Sequence, residues 1–211
     1  MTTLVYVGTN VGNSLWEMFD KYDSVYAFEA DPEMFVNLNR RFKQFEWVTL
    51  VNAACSEFDG EQDFYVTPNR VSSSLSDVSL AEKELGCVPF LKKIIVKTIN
   101  LSNYLKLNSI NEIETYVSDI QGSDLNVLKT LKNDFIDTKK IKQIFVETHG
   151  NGFELYAGLD NQFDGFKTML VDNYNFIHAS LGSRNGKIVE EKDIPFGEKE
   201  WDSYWEVKSN G

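Results

Sequence analysis

Between Leu4 and Asn52 the chain alternates three short apolar runs with two amphipathic stretches, and this alternation limits the possible folds more than any other feature. Leu4–Val7 is a strand-like run closed by Gly8. Ser14–Lys21 then brings Leu15, Met18 and Phe19 round at helical spacing, and Ser24–Glu29 reads as a second strand. In "DPEMFVNLNRRF", Asp31 is placed to cap a helix and Pro32 to occupy its first position, with Phe35, Leu38 and Phe42 on one face. Trp47–Asn52 is a third strand. A β-α-β-α-β run of this kind builds a parallel sheet through right-handed crossovers.

Further along, Phe58-Asp59-Gly60 is a turn, and Gln62–Val66 is expected to pair with Ile94–Ile99 as antiparallel additions. The intervening "PNRVSSSLSDVSLAEKELGCVP" is serine-rich but punctuated by hydrophobes, so it reads as an ordered excursion, helical from about Ser79 to Leu85. The alternation then resumes with strand Glu114–Asp119, helix Ser123–Lys132, strand Ile141–Glu147, helix Asp160–Asn173, strand Phe176–Leu181 and a last strand near Tyr204–Lys208. No repeat and no internal boundary interrupts it. Residues 1–211 are therefore expected to form a single α/β domain, a three-layer sandwich around a mostly parallel seven-stranded sheet with an inserted hairpin and helical excursion. Because the first strand begins by about Thr3, this is either a naturally minimal unit or a piece of a longer polypeptide.

Composition narrows the class. Among 211 residues, 42% are hydrophobic and 13% aromatic, enough for a substantial core. The formal net charge of −11 opposes binding to phosphate backbones or anionic membranes. Cys55 and Cys87 make no disulfide framework and read as small apolar fillers in a reducing compartment. With no basic-then-apolar leader and no apolar run of bilayer length, a cytoplasmic protein without membrane insertion is expected.

In an open parallel sheet, ligands sit beyond the carboxyl ends of the strands. Five segments reach that edge with polar residues: "GTNVG", "FEADP", "NAACS", "SDIQGSD" and Glu147-Thr148-His149. Glu29 stands 17 residues after Gly12, close to the spacing at which an acidic residue meets ribose hydroxyls. A carboxylate accepts both hydrogen bonds of a cis-diol and repels a 2′-phosphate. With only Gly8 and Gly12, the loop suits a pyrophosphate poorly and the amino-acid tail of S-adenosylmethionine better, backbone groups and Asn10 facing its ammonium and carboxylate. A tight turn explains G-x-x-x-G alone about as well; Glu29 and the other polar strand ends shift the balance towards a ligand loop.

In these segments the chain resembles the FkbM-type S-adenosylmethionine-dependent methyltransferases, collinearly from about Val5 to His149. "YVGTNVGNS" is similar to that family's D-V-G-A-N-x-G-x-x-S loop, "VYAFEADPEMFVNLNRRF" to its A-F-E-P-x-P entry, and "VNAACSEFDGEQDFYV" to its N-x-A-L-S segment and hairpin. "SSSL", "KTINLSNYL", "SDIQGSDLNVLKTL" and "IFVETH" continue the match. The resemblance implies a Rossmann-like class I methyltransferase fold and S-adenosylmethionine as cofactor. The implied cofactor residues are Tyr6, Gly8, Thr9, Asn10, Gly12, Ser14, Glu29, Ala30, Ala53, Ala54, Ser74 and Asp119. It also implies a hydroxyl acceptor on a sugar or glycan, a deoxysugar included. Three positions depart from the pattern: Tyr6 replaces aspartate, Val117 lysine and Gln121 glutamate, while Asp124 stands conservatively for glutamate.

A sugar hydroxyl is a weak nucleophile, so a base or a metal must help remove its proton. Asp119, Glu147 and His149 end adjacent strands and are the candidates. Either His149 is the general base, oriented by Glu147 or Asp119, or the three hold a divalent cation that acidifies the acceptor; a third reading makes Glu147 and His149 plain strand-end polar groups. Phe153 and Tyr156 could wall a sugar face, and Ser72–Ser74 could line an adenine pocket. His178 reads as structural, and Trp201, Tyr204 and Trp205 as edge-strand packing. The alternatives are an inactive adenosyl- or glycan-binding module, an NAD-dependent oxidoreductase, which would need a fuller glycine fingerprint, and a nucleotide-sugar glycosyltransferase, which would need a D-x-D motif.

Overall fold

The computed structural model describes residues 1–77, 92–182 and 186–209. Its sheet begins as the alternation requires. Strands β1 (Thr3–Val7), β2 (Ser24–Glu29) and β3 (Val48–Asn52) pair in parallel. Helix α2 (Pro32–Phe42) starts where Asp31 Oδ1 accepts the Glu33 N–H at 2.8 Å and ends with Arg40 and Arg41 in its last turn, complementing the helix dipole. Its inner face buries Leu38 and Phe42.

The amphipathic stretch before β2 does not form one helix. Helix α1 covers only Asn13–Trp16, its cap residue Gly12 has φ +79°, and no side chain caps it. Phe19–Lys21 then turns as a 3₁₀ helix. Tertiary packing overrides local propensity here. The Phe19 ring must fit among Phe42, Phe45 and Trp47, at centroid distances of 5.2, 4.8 and 6.1 Å.

On the other side of β1 lie β7 (Ile113–Ser118) and β8 (Ile141–His149), both parallel to it. Beyond β8 the direction changes. β11 (Glu200–Val207) is antiparallel to β8 and to β9 (Tyr174–Leu181), and β10 (Lys187–Val189) forms an antiparallel pair with β9. Among the described residues the sheet thus has eight strands, ordered β10-β9-β11-β8-β7-β1-β2-β3, rather than the expected seven. β11 starts four residues earlier than expected and lies inside the sheet, so Trp201 and Trp205 are interior packing and not edge packing. Both rings pack on Phe163 of α5 (Phe163–Leu170), which starts three residues later than the sequence suggests.

Helices α3 (Leu101–Leu107), α4 (Asp124–Thr130) and α5 bury one face of the sheet with Ile113, Leu128, Phe135 and Phe166, while α1 and α2 cover part of the other with Leu15, Leu38 and Phe42. Strands β4 (Ala54–Ser56), β5 (Gly60–Val66) and β6 (Lys92–Asn100) make a separate three-stranded sheet. Its β5–β6 pair is antiparallel, as expected, but β4–β6 is parallel and the unit does not extend the main sheet. The expected helix Ser79–Leu85 and Cys87 lie outside the described residues; Cys55 is a buried free thiol whose ionisation burial strongly disfavours. No helix among the described residues is long and apolar enough to cross a membrane.

Candidate active site

Three polar turns converge where β1, β2 and β7 end. Gly8 and Thr9 donate backbone N–H bonds to the Phe28 carbonyl at 3.0 and 3.1 Å, folding the first loop onto β2. Gly8 has φ +79°, and a Cβ there would land on the Asp119 carbonyl oxygen, so only glycine lets β1 leave the sheet beside β7. Gly12 serves packing: a Cβ would meet Phe42 at 2.5 Å and Leu38 at 2.7 Å.

These turns enclose a cavity of about 230 Å³. Tyr6, Gly8, Thr9, Asn10, Ser14, Glu29, Ala30, Ala53, Ala54 and Asp119 line it; Gly12 and Ser74 do not. Ser74 instead donates to the Gln121 carbonyl at 2.7 Å, while its neighbours Ser73 and Leu75 face the cavity. The Glu29 carboxylate is 6% exposed and accepts the N–H of Asn10 at 2.6 Å on one oxygen and of Asp31 at 2.7 Å on the other. Burial outweighs those two bonds and pushes its pKa up to about 7.

Arg70 crosses this cavity from the loop after β5. Its guanidinium binds Asp31 and Glu33 at 2.6 Å each, and its carbonyl accepts from Asn10 Nδ2 at 3.1 Å. A single arginine between Asn69 and Val71 carries no sequence pattern, so only the fold reveals this strap.

A second, acidic cleft of about 530 Å³ opens beside the first and shares Ser14, Val71, Asp119 and Gln121 with it. Its other walls include Glu147, Tyr156, Glu200 and Asp202. Gln121 organises its floor: Nε2 donates to Asp119 at 2.8 Å and to Glu147 at 2.7 Å, and Oε1 accepts from the Tyr156 hydroxyl. One amide thereby holds two carboxylates together. Asp124, fully buried, fixes the turn behind them by accepting from Ser118 at 2.5 Å and from the Ile120 N–H at 3.1 Å; burial pushes its pKa up to about 7.

With this geometry in place, the decisive likeness is to a family. Residues 7–178 match the family profile described as the methyltransferase FkbM domain. The chain belongs to the FkbM methyltransferase family. Its cofactor is S-adenosylmethionine. Among curated proteins none matches the chain. Among solved structures, an rRNA methylase from Streptococcus thermophilus is similar in fold, with TM-score 0.50 and 9% identity over 99% of this chain and 87% of that one. TrmK of M. capricolum, solved with S-adenosyl-homocysteine, gives a TM-score of 0.46 and 12% identity over 97% of this chain. The chain spans 62% of TrmK and 65% of Sp1610 of Streptococcus pneumoniae.

The candidate base differs in setting from the sequence expectation. His149 is 1% exposed, makes no side-chain hydrogen bond among the described residues, and lines none of the cavities described. Its Nε2 lies 3.7 Å from Glu147 Oε2, also unpartnered, and its ring stacks on Tyr156 at 5.9 Å. Burial pushes the imidazole pKa down to about 4. Burial first, and then Asp119, Asp124, Glu200 and Asp202, hold the Glu147 carboxyl well above the ordinary range. Among the described residues no three His, Cys, Asp or Glu side chains group to hold a metal ion. Asp119, Glu147 and His149 therefore do not fit the expected cation site, because the Gln121 amide sits between the first two. Phe153 stands off the cleft beneath Lys199, whereas Tyr156 lines it. Val117, where the family resemblance places lysine, lies a residue pair below Asp119 on the sheet face and packs with Tyr6 and Phe145.

Proposed function

We propose that this chain is an O-methyltransferase that methylates a hydroxyl of a neutral sugar or glycan, a deoxysugar included. The observation that carries the reading is the carboxylate-lined cleft beside the cofactor cavity. Asp119, Glu200 and Asp202 repel phosphates, and together with Glu147 they offer oxygens to hydroxyl protons. That charge weighs against a nucleic-acid acceptor, although the rRNA methylase shares the fold.

Glu29 fits the ribose diol, and the first loop with Asn10 fits the amino-acid tail. The bound cofactor supplies an electrophilic methyl group on a sulfonium. The chain's own task is alignment, which can account for about 7–11 kcal/mol of barrier, together with removal of one proton. As the acceptor oxygen forms its bond to the methyl carbon, the carbon–sulfur bond breaks and the O–H proton passes to the protein. Asp119 and Glu147 face the cleft and are the groups that can touch that hydroxyl. The proton passes to Asp119; Glu147, its carboxyl held well above the ordinary range by burial, can only hydrogen-bond the acceptor, and His149 stands neutral and buried behind it.

Calorimetry with S-adenosylhomocysteine and NAD, each with and without a chelator, tests the cofactor half. Binding of the homocysteine ligand alone, unaffected by chelator, is expected. Preference for NAD, or loss of binding on chelation, would overturn it.

A further inference from the structure

The chain that follows β5 is tied in succession to four turns of the site. Tyr65 and Ser74 exchange backbone bonds at 2.8 and 3.1 Å, which closes residues 66–73 into a loop at its base. At the tip of that loop the Arg70 guanidinium holds Asp31 and Glu33 at the start of α2, and its carbonyl accepts from Asn10 in the turn after β1. Ser74 then donates to the Gln121 carbonyl in the turn after β7. Beyond β8, Ser76 Oγ donates to the Ala157 carbonyl at 2.5 Å, and the Asp77 carbonyl accepts the Ala157 N–H at 2.8 Å. Residues 70–77 therefore run as a strap along the carboxyl edge of the sheet, past β2, β1, β7 and β8 in their order there.

The strap supplies walls to both sites. Arg70, Ser73 and Leu75 line the cofactor cavity, Ser72 lines the acidic cleft, and Val71 lines both. Any shift of the strap remodels the two walls at once. Its charged anchor lies at the Arg70 end, where two guanidinium nitrogens each reach a carboxylate at 2.6 Å and the side chain is only 18% exposed. Such charge-assisted bonds are roughly twice as strong as the neutral ones that make the other ties. Arg70 also holds φ +59°, a conformation that persists in a non-glycine residue only where its surroundings impose it. The ion pairs and the Asn10 bond impose it here, so losing the ion pairs favours release of the strap. A cofactor lying against Arg70, Ser73 and Leu75 touches the closed strap and not an open one. It binds the closed state more tightly and draws the strap towards it.

We infer that Arg70 is a positioning residue: its guanidinium latches the strap over the bound cofactor, and the latched strap completes the acceptor cleft through Val71, Ser72 and the Ala157 turn beside Tyr156. The inference rests on the reading of the two cavities as cofactor and acceptor sites, and its test needs no acceptor.

The intact chain, Arg70→Ala, Arg70→Gln and Arg70→Lys are compared with and without S-adenosylhomocysteine. Release of the labelled ligand into excess unlabelled ligand gives the dissociation rate, and NMR follows amide exchange residue by residue. In wild type the ligand should slow exchange of the Ala157 amide at least about tenfold, although Ala157 lines neither site. Arg70→Ala should release the ligand at least about tenfold faster and lose the protection at Ala157. Arg70→Gln, longer and uncharged, should behave as Arg70→Ala does and decides the matter if the alanine variant does not fold. Arg70→Lys, a point charge in place of a fork, should fall between these and wild type. A merely structural arginine would lower Tm on replacement but leave the ligand's effect on Ala157 in place. Ala157 exchange that the ligand does not change in wild type overturns the latch, as do wild-type release and protection in the uncharged variants. Failure of wild type to bind S-adenosylhomocysteine is a separate result and overturns the cofactor reading beneath it.

Discussion

Glu29 gives the cofactor site a pH dependence that can be worked through. Its carboxylate accepts two backbone N–H bonds at 2.6 and 2.7 Å, but at 6% exposure burial prevails and the pKa is pushed up to about 7. A diol needs the ionised form, which accepts both hydroxyl protons without offering one. With a pKa near 7, that form grows from about a tenth to about nine tenths of the protein between pH 6 and pH 8. Affinity for S-adenosylhomocysteine should therefore rise about tenfold over that interval, equivalent to about 1.4 kcal/mol. The ligand's own amino and carboxylate groups keep their charges there. Stability moves the other way. A carboxyl whose folded pKa lies above its unfolded value binds more protons when folded, so stability is greatest below about pH 4.5 and falls as pH rises to about 7, by roughly 3 kcal/mol from this group. In Glu29→Gln, one amide oxygen cannot accept from both backbone donors, and the pH slope of binding should vanish along with most of the affinity. Calorimetric titrations at pH 6, 7 and 8 on both proteins measure this. A flat wild-type profile, or a variant that binds as tightly at pH 8, would refute the assignment of Glu29 to the ribose.

Replacing Asp119 with asparagine should slow methyl transfer by about a hundredfold or more, whereas His149→Ala should leave the single-turnover rate within a few-fold of wild type; a near-normal rate for Asp119→Asn would remove the proton route. Gly8→Ala must hold φ +79° with a Cβ against the Asp119 carbonyl, so it should cost at least about 1–3 kcal/mol and lower Tm by roughly 3–10 °C, read by calorimetry. Gln121→Glu puts a third carboxylate where an amide now bridges Asp119 and Glu147, and its Tm should drop more steeply than wild type from pH 5 to pH 8. Parallel pH profiles for the two proteins would show that the bridge contributes nothing.

Where local chemistry and tertiary demand agree, the fold was legible in the sequence. Asp31, Pro32 and the Leu38–Phe42 face announce α2 because the cap, the proline and the buried stripe each act within one turn. The reading failed where distant packing decides. Ser14–Lys21 has helical spacing, yet the rings of Phe42, Phe45 and Trp47 break it after Trp16. β11 hid behind charged flanks, although the alternation of Trp201, Ser203 and Trp205 inward against Asp202 and Tyr204 was present to be read. In the site, the cavity-lining loops were visible as polar strand ends. Arg70 and the bridging role of Gln121 were not, because their partners lie 39 and 26 residues away and spacing encodes neither. His149 stands out in the sequence by type and position, but burial, which sequence does not show at a strand end, places it behind Glu147.

The central claim is that a neutral hydroxyl in the acidic cleft receives the methyl group. Incubating the protein with S-adenosylmethionine labelled in its methyl group, together with neutral oligosaccharides in one vessel and RNA in another, tests it directly. The account requires label in the saccharide, as an ether stable to alkali, and none in the RNA. Label in the RNA, or a saccharide left unlabelled by protein that binds the cofactor, would contradict it.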